Sequence, residues 1–410
     1  MVTKSKLKQY AKLIAKKGLN VQKGQEVEIF ADLDQPEFVK MAVDECYLLG
    51  AKRVHVNWSY QPLTKSHVKY QKQKDLSEVL GWEIAKWEHM ADELSCRLFI
   101  LSEDPDGLSG INLSKFQASQ RARKAVIKPI RERMENKHQW CIVAVPGRAW
   151  AKKVFPNDKV TVAMNKLWDA ILTAARVGDD PIAAWDEHNR SLKEKCDKLN
   201  ALGLTELYYR SKSSGTDFRV GLNPDVVFAA GGEVTEGKEV FFNPNMPTEE
   251  VFTSPLRGKA EGIVYASLPL SYNGQLIDKF WIRFHEGKVE DVGAEQGEDL
   301  LRELIAMDEG ASYLGECAIV PYESPIRKSG ILFYNTLFDE NAACHLALGI
   351  GFTNLLKGYE KMTEKEAFAK GINDSIIHED FMIGTADLSI VGTTKDGKQV
   401  EILKDGNWAI

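Results

Sequence analysis

At 410 residues, 44% of them hydrophobic and 27% charged, the chain has the balance of a folded globular protein and room for two domains. Its net charge of -6, with both signs interspersed, leaves no basic stretch to neutralise a phosphate backbone and argues against nucleic acid as a partner. Apolar runs such as Ile142 to Val145 and Ile263 to Leu268 are far too short to span a membrane. The six cysteines stand singly, without Cys-x-x-Cys pairs or framework spacing, and read as small buried residues rather than disulfide partners.

From the start, Met1-Val2-Thr3-Lys4 runs into an amphipathic pattern instead of an apolar segment with a cleavage site, which predicts a cytoplasmic chain without a secretory signal. Leu7, Tyr10, Ala11 and Ile14 recur at helical spacing up to Gly18. Glu26 to Ala31 then reads as a strand, Pro36 to Leu49 as a helix stopped by Gly50, and Arg53 to Asn57 as a second strand. The alternation continues with a helix over Gly81 to Ala91, a strand at Arg97 to Leu101, a helix over Lys115 to Asn136 and a strand from Trp140 to Val145. Strands alternating with helices imply a βαβ domain built on a parallel sheet. Helices at Lys159 to Arg176 and Pro181 to Leu199 close this half.

From Leu204 the texture changes to short alternating strands punctuated by Gly and Asn: Glu206 to Arg210, Phe218 to Leu222, Glu239 to Phe242, Ala260 to Ser267 and Lys279 to Phe284. A helix over Glu295 to Met307 follows, then short strands and polar loops. The expected fold class is α/β, with an N-terminal parallel-sheet domain over 1–200 and a strand-rich mixed α/β domain over 201–410.

Chemistry-bearing residues concentrate in the second half. Asp339-Glu340-Asn341-Ala342-Ala343-Cys344-His345 reads as a helix opening at Asn341, which would put Glu340 at its mouth and His345 one turn further in. Isoleucines and aromatics around His378-Glu379-Asp380 indicate a strand, where His378 and Asp380 share a face. Imidazole beside carboxylate suits a borderline divalent cation such as zinc, cobalt or manganese. Glu250 and Glu316 each lead into an apolar strand, where a carboxylate is costly unless exposed or paired.

Ordinary readings stand beside these. A single histidine next to an apolar stretch is commonly a hydrogen-bonded core residue, and acidic pairs such as Glu249-Glu250 and Glu379-Asp380 are commonly solvated turns. No His-Glu-x-x-His is present, since neither His285-Glu286 nor His378-Glu379 is followed by the second histidine. There is no Gly-x-Ser-x-Gly elbow, and Ala229-Ala230-Gly231-Gly232-Glu233 lacks the spacing of a phosphate loop. Cys317 and Cys344 adjoin candidate ligands and read as packing residues, with nucleophile or thiolate ligand as the alternatives. Composition and spacing stop at a candidate metal site.

Several segments in order carry a resemblance: Met246-Pro247-Thr248-Glu249-Glu250-Val251-Phe252-Thr253 with Ser254-Pro255, Gly315-Glu316, Leu337 to Asn341, His345 to Gly349, Asn373 to His378 and Gly406 to Ala409. Together they resemble the thermophilic-aminopeptidase family of metallopeptidases over the whole chain. That resemblance implies peptide substrates with a free N-terminus, a homodimer, and a two-metal centre of zinc or cobalt, with magnesium or manganese as alternatives. It implies Glu250, Glu316, Glu340, His345, His378 and Asp380 as ligands, whose four carboxylates would balance two dications. Glu316 is then the expected general base, with Glu249 as the alternative. One position departs: where the family carries a Tyr after the ligand His, this chain has Phe352. If that hydroxyl stabilises the tetrahedral intermediate, activity is reduced or a group such as Tyr359 or a backbone N–H replaces it. Another amide hydrolase and a non-enzymatic metal-binding protein are the alternatives to an aminopeptidase.

Overall fold

Four segments rich in β-branched and aromatic residues, Glu26–Asp32 (β1), Arg53–Ser59 (β2), Cys96–Leu101 (β3) and Trp140–Ala144 (β4), pair in parallel in the order β4-β3-β1-β2. These pairings come from a computed structural model, which describes residues 2–272 and 274–410. Parallel neighbours need crossovers, and the helices Pro36–Leu48, Gly81–Glu93 and Leu113–Glu132 supply them. The inner strands β1 and β3 are almost wholly buried, as expected where helices cover a sheet. A short segment, Asn245–Met246, extends the sheet in parallel beyond β4. Residue contacts group this sheet with residues 1–186 and 232–247.

The other compact unit comprises residues 187–231 and 248–410, and the division falls inside the helix Pro181–Leu202. It is built on two antiparallel sheets. The larger has eight strands in the order Lys288–Gly293, Trp281–His285, Pro255–Tyr265, Asp217–Leu222, Leu204–Arg210, Ser389–Thr394, Gln399–Lys404 and Asn407–Trp408. The smaller has five, in the order His378–Met382, His345–Gly349, Leu314–Ile319, Val251–Thr253 and Ala229–Ala230. One apolar core takes side chains from both, among them Tyr209, Phe218, Phe284 and Ile390 from the larger and Val251, Cys317, Leu346 and Phe381 from the smaller. Burying such side chains contributes roughly 1.5–3 kcal/mol each, which makes this core the main source of stability in the unit.

The mixed α/β class expected from sequence is what the structure shows, with the parallel sheet in the first half and antiparallel sheets in the second. Boundaries move by a few residues, and the expected strand at Glu239 to Phe242 shrinks to Phe241–Phe242, paired with Glu233–Val234. The helices Gln61–Tyr70 and Arg148–Val154 carry weak apolar periodicity and have no counterpart in the sequence reading. Among the described residues, no helix is long and apolar enough to cross a membrane.

Candidate metal centre

The five-stranded sheet sorts its side chains by alternation. Cys317, Leu346, Leu348 and Phe381 enter the apolar core. Glu316, Ala318, His345, Ala347, His378 and Asp380 therefore share the opposite face. Cross-strand register brings them together: Glu316 lies opposite Ala347, Ala347 opposite Asp380, and Ala318 opposite His345. The two carboxylates thus flank a residue that ends at a methyl group.

A bulge lets Leu314 and Glu316, two residues apart, take opposite faces. Leu314 pairs with Leu348 while Glu316 pairs with Ala347, so Gly315 is one residue too many on its strand. Leu314 stays in the core and Glu316 is turned out of it. Glycine is required there, because a Cβ on residue 315 would sit 2.3 Å from the Ile350 carbonyl oxygen.

Both histidines are oriented from behind. His345 Nδ1–H donates to the Ala343 carbonyl at 3.1 Å and His378 Nδ1–H to the Ile350 carbonyl at 2.8 Å. Carbonyl acceptors fix the proton on Nδ1 and turn Nε2 towards the carboxylates, the arrangement typical of metal-ligating imidazoles. His345 Nε2 lies 3.2 Å from Glu250 Oε2, and His378 Nε2 lies 3.1 Å from Glu316 Oε2 and 3.5 Å from Asp380 Oδ1. Two triads result, Glu250 with Glu316 and His345, and Glu316 with His378 and Asp380; within each, ligand atoms lie within 4.8 Å of one another. Glu316 belongs to both. Glu340 is outside both triads, yet close enough to feel the charges of Asp380, Glu250 and Glu316.

Burial sets the electrostatics. It pushes the Glu316 carboxyl up to about 7, against the pull of the His378 hydrogen bond, and the nearby Asp380 charge adds to the rise. It pushes Glu340 well above the carboxylate range, with Asp380 and Glu250 adding repulsion. Burial alone would lower the imidazoles, but Glu250 raises His345 to about 10, and Asp380 and Glu316 raise His378 well above its ordinary value. Asp380 is held low by His378 despite its burial. Such a cluster of carboxylates calls for positive charge. The buried Oδ1 of Asp380 accepts no hydrogen bond. Oxygen and imidazole donors of this kind fit borderline divalent cations.

Some expectations change. His345 opens a strand rather than sitting inside a helix, and Glu340–Ala342 is a single 3₁₀ turn. The reason is period: Leu346 and Leu348 alternate into the core, whereas a helix would have placed its apolar residues three or four apart. Cys317 and Cys344 are core residues. Cys344 Sγ donates to the Val320 carbonyl at 3.1 Å, and burial pushes its thiol up to about 12, so neither nucleophile nor thiolate ligand describes it. Two aromatic rings adjoin the cluster: Phe252 and Phe352 meet edge to face at 5.3 Å, and the Phe352 ring lies 5.1 Å from the His378 imidazole. The sequence reading did not single out Ala347, Gly315 or the side-chain role of Asn341. A Gly directly before the acid was the available signal for the bulge; Ala347 stands between Leu346 and Leu348, where the sequence offers none.

The carboxylates and imidazoles gathered on this antiparallel sheet make a candidate metal centre, and comparison with known proteins supplies the family. The family model for thermophilic metalloprotease (M29) matches residues 3–408, and the chain belongs to that family. It is 41% identical over 406 residues to aminopeptidase AmpS of Bacillus subtilis (strain 168), covering 98% of each chain. It is 38% identical over 410 residues to aminopeptidase T of Thermus thermophilus, covering 99% of each. The solved structure of wild-type AmpT from Thermus thermophilus superposes with a TM-score of 0.91 at 36% identity and covers 100% of both chains.

Proposed function

We propose that the chain is a metal-dependent aminopeptidase that removes the N-terminal residue from peptides, with two divalent ions held by Glu250, Glu316, Glu340, His345, His378 and Asp380. The observation that carries this reading is the pair of triads sharing Glu316, with both Nε2 atoms turned inward. Glu316, common to both triads, would stand within reach of both ions, and membership of a metalloprotease family with aminopeptidase relatives supports the chemistry. Zinc or cobalt suits the mixed imidazole and carboxylate set best; magnesium or manganese suits it less well. A homodimer in the cytoplasm belongs to the same reading.

Bound divalent ions supply Lewis acidity, which brings the pKa of water towards neutrality and polarises the scissile carbonyl. Glu316 acts as general base: it takes the proton as water adds to the carbonyl carbon and delivers it to the departing amine. His345 and His378, pinned through Nδ1, keep their inward geometry while the cluster's charge changes. Phe252 and Phe352 form an apolar wall beside His378 that suits an apolar side chain on the substrate's first residue. Glu316→Gln is expected to lower kcat for an aminoacyl-nitroanilide by roughly 10²–10⁴-fold while leaving thermal unfolding nearly unchanged. Near-normal turnover would remove Glu316 from this role.

One observation favours a second reading, a metal-holding protein of reduced or different activity: Phe352 offers no hydroxyl beside His378. Metal bound without cleavage of any aminoacyl substrate would select it.

A further inference from the structure

Asn341 is fully buried one residue beyond Glu340, and its carboxamide is used on both sides. Oδ1 accepts the backbone N–H of Glu249 at 2.7 Å. Nδ2 donates to the Leu337 carbonyl at 3.0 Å and to Glu340 Oε1 at 3.3 Å. The backbone carbonyl of Asn341 accepts the Ser324 hydroxyl at 3.0 Å. The amide's orientation is dictated by these partners, since a flipped amide would set NH₂ against N–H and oxygen against both a carbonyl and a carboxylate.

This one side chain joins two chain segments 92 residues apart, each carrying a candidate ligand. On one side is the backbone that leads into Glu250; on the other is the carboxylate of Glu340. Neither Glu249 nor Glu250 lies on a strand, and Glu340 sits in a 3₁₀ turn, so the sheet register that places Glu316, His345, His378 and Asp380 does not place these two. We propose that Asn341 is the positioning residue of the metal centre, holding the Glu250 segment at a set distance from Glu340 and orienting the Glu340 carboxyl group through a hydrogen bond. This inference rests on the metal-centre reading above.

The test is a double-mutant cycle read as Co²⁺ affinity, by competition with a chromogenic chelator, on the full-length protein. Asn341→Ala is expected to weaken Co²⁺ binding about 10–100-fold, the usual cost of losing a partner that orients a ligand. In the Glu340→Gln background the same change is expected to weaken binding by a markedly smaller factor, because part of its effect runs through the carboxylate already removed. A residue that merely supports the fold would give the full factor in both backgrounds, and that multiplicative result would overturn the proposal, as would wild-type affinity in Asn341→Ala. Thermal unfolding of the metal-free proteins reports the fold. If Asn341→Ala does not fold, Asn341→Ser, which keeps a hydroxyl for the Glu249 N–H but no donor amide, takes its place with the same expectations. Wild-type protein that binds no Co²⁺ would instead sink the metal-centre reading itself.

Discussion

Ala347 decides how closely the carboxylates of Glu316 and Asp380 can face one another. It lies directly between them on the same sheet face, and its methyl group leaves the space above it to their oxygens. Ala347→Leu fills that space. We predict that the variant retains less than a tenth of the wild-type metal content after dialysis, at a folding cost of about 1–3 kcal/mol from overpacking. Full metal content would show that the space is not where the ions sit. Phe352 makes the opposite prediction, a gain. Its ring already stands against His378, so Phe352→Tyr adds a hydroxyl without moving the ring. If an oxyanion donor is what the chain lacks, kcat should rise by roughly one to two orders of magnitude with metal content unchanged. An unchanged kcat would mean that another group already serves.

The elements differ in how openly the sequence announces them. The inner parallel strands Glu26–Asp32 and Cys96–Leu101 and the helix Pro36–Leu48 are legible because each buries a continuous or periodic apolar face of its own. The His378 strand is legible too, since alternation alone puts His378 and Asp380 on one side. Glu316 is only half legible: alternation from Cys317 and Ile319 turns it out of the core, alternation from Leu314 turns it in, and the extra residue at Gly315 that reconciles the two is a consequence of pairing. Asn341 misleads in a different way. Asn before Ala-Ala has the look of a helix N-cap, but its oxygen is engaged by Glu249, far away in sequence, and tertiary pairing of His345–Gly349 overrides the local helix preference. Five residues from four separate segments meet in the two triads, with Glu340 outside them, and it is the resemblance to a family, rather than spacing, that groups all six.

At the scale of the molecule, the parallel-sheet unit carries its own pH dependence, remote from the metal centre in sequence. His138 is buried, donates Nδ1–H to the Met134 carbonyl at 2.7 Å, and accepts the Arg97 Nε–H at 2.8 Å on Nε2. The ring is therefore locked neutral. Burial first, and the Arg97 charge second, lower its pKa to about 4. A folded-state value below the unfolded one gives stability that is fully present above about pH 6.5 and lost as pH falls towards 4, in total roughly 3 kcal/mol. Urea unfolding from pH 7 to pH 4 should show this loss in the wild type and a shallower one in His138→Gln. Equal slopes would mean that the histidine does not remain neutral.

The central claim is that the cluster on the five-stranded sheet is a working two-metal centre, and metal counting joined to turnover tests it most directly. Elemental analysis of the purified protein, before and after dialysis against chelator, is run beside cleavage of a panel of aminoacyl-nitroanilides. The account predicts two divalent ions per chain, hydrolysis that disappears with the ions, and recovery on adding cobalt or zinc. Undiminished hydrolysis by protein shown to be free of metal would contradict it.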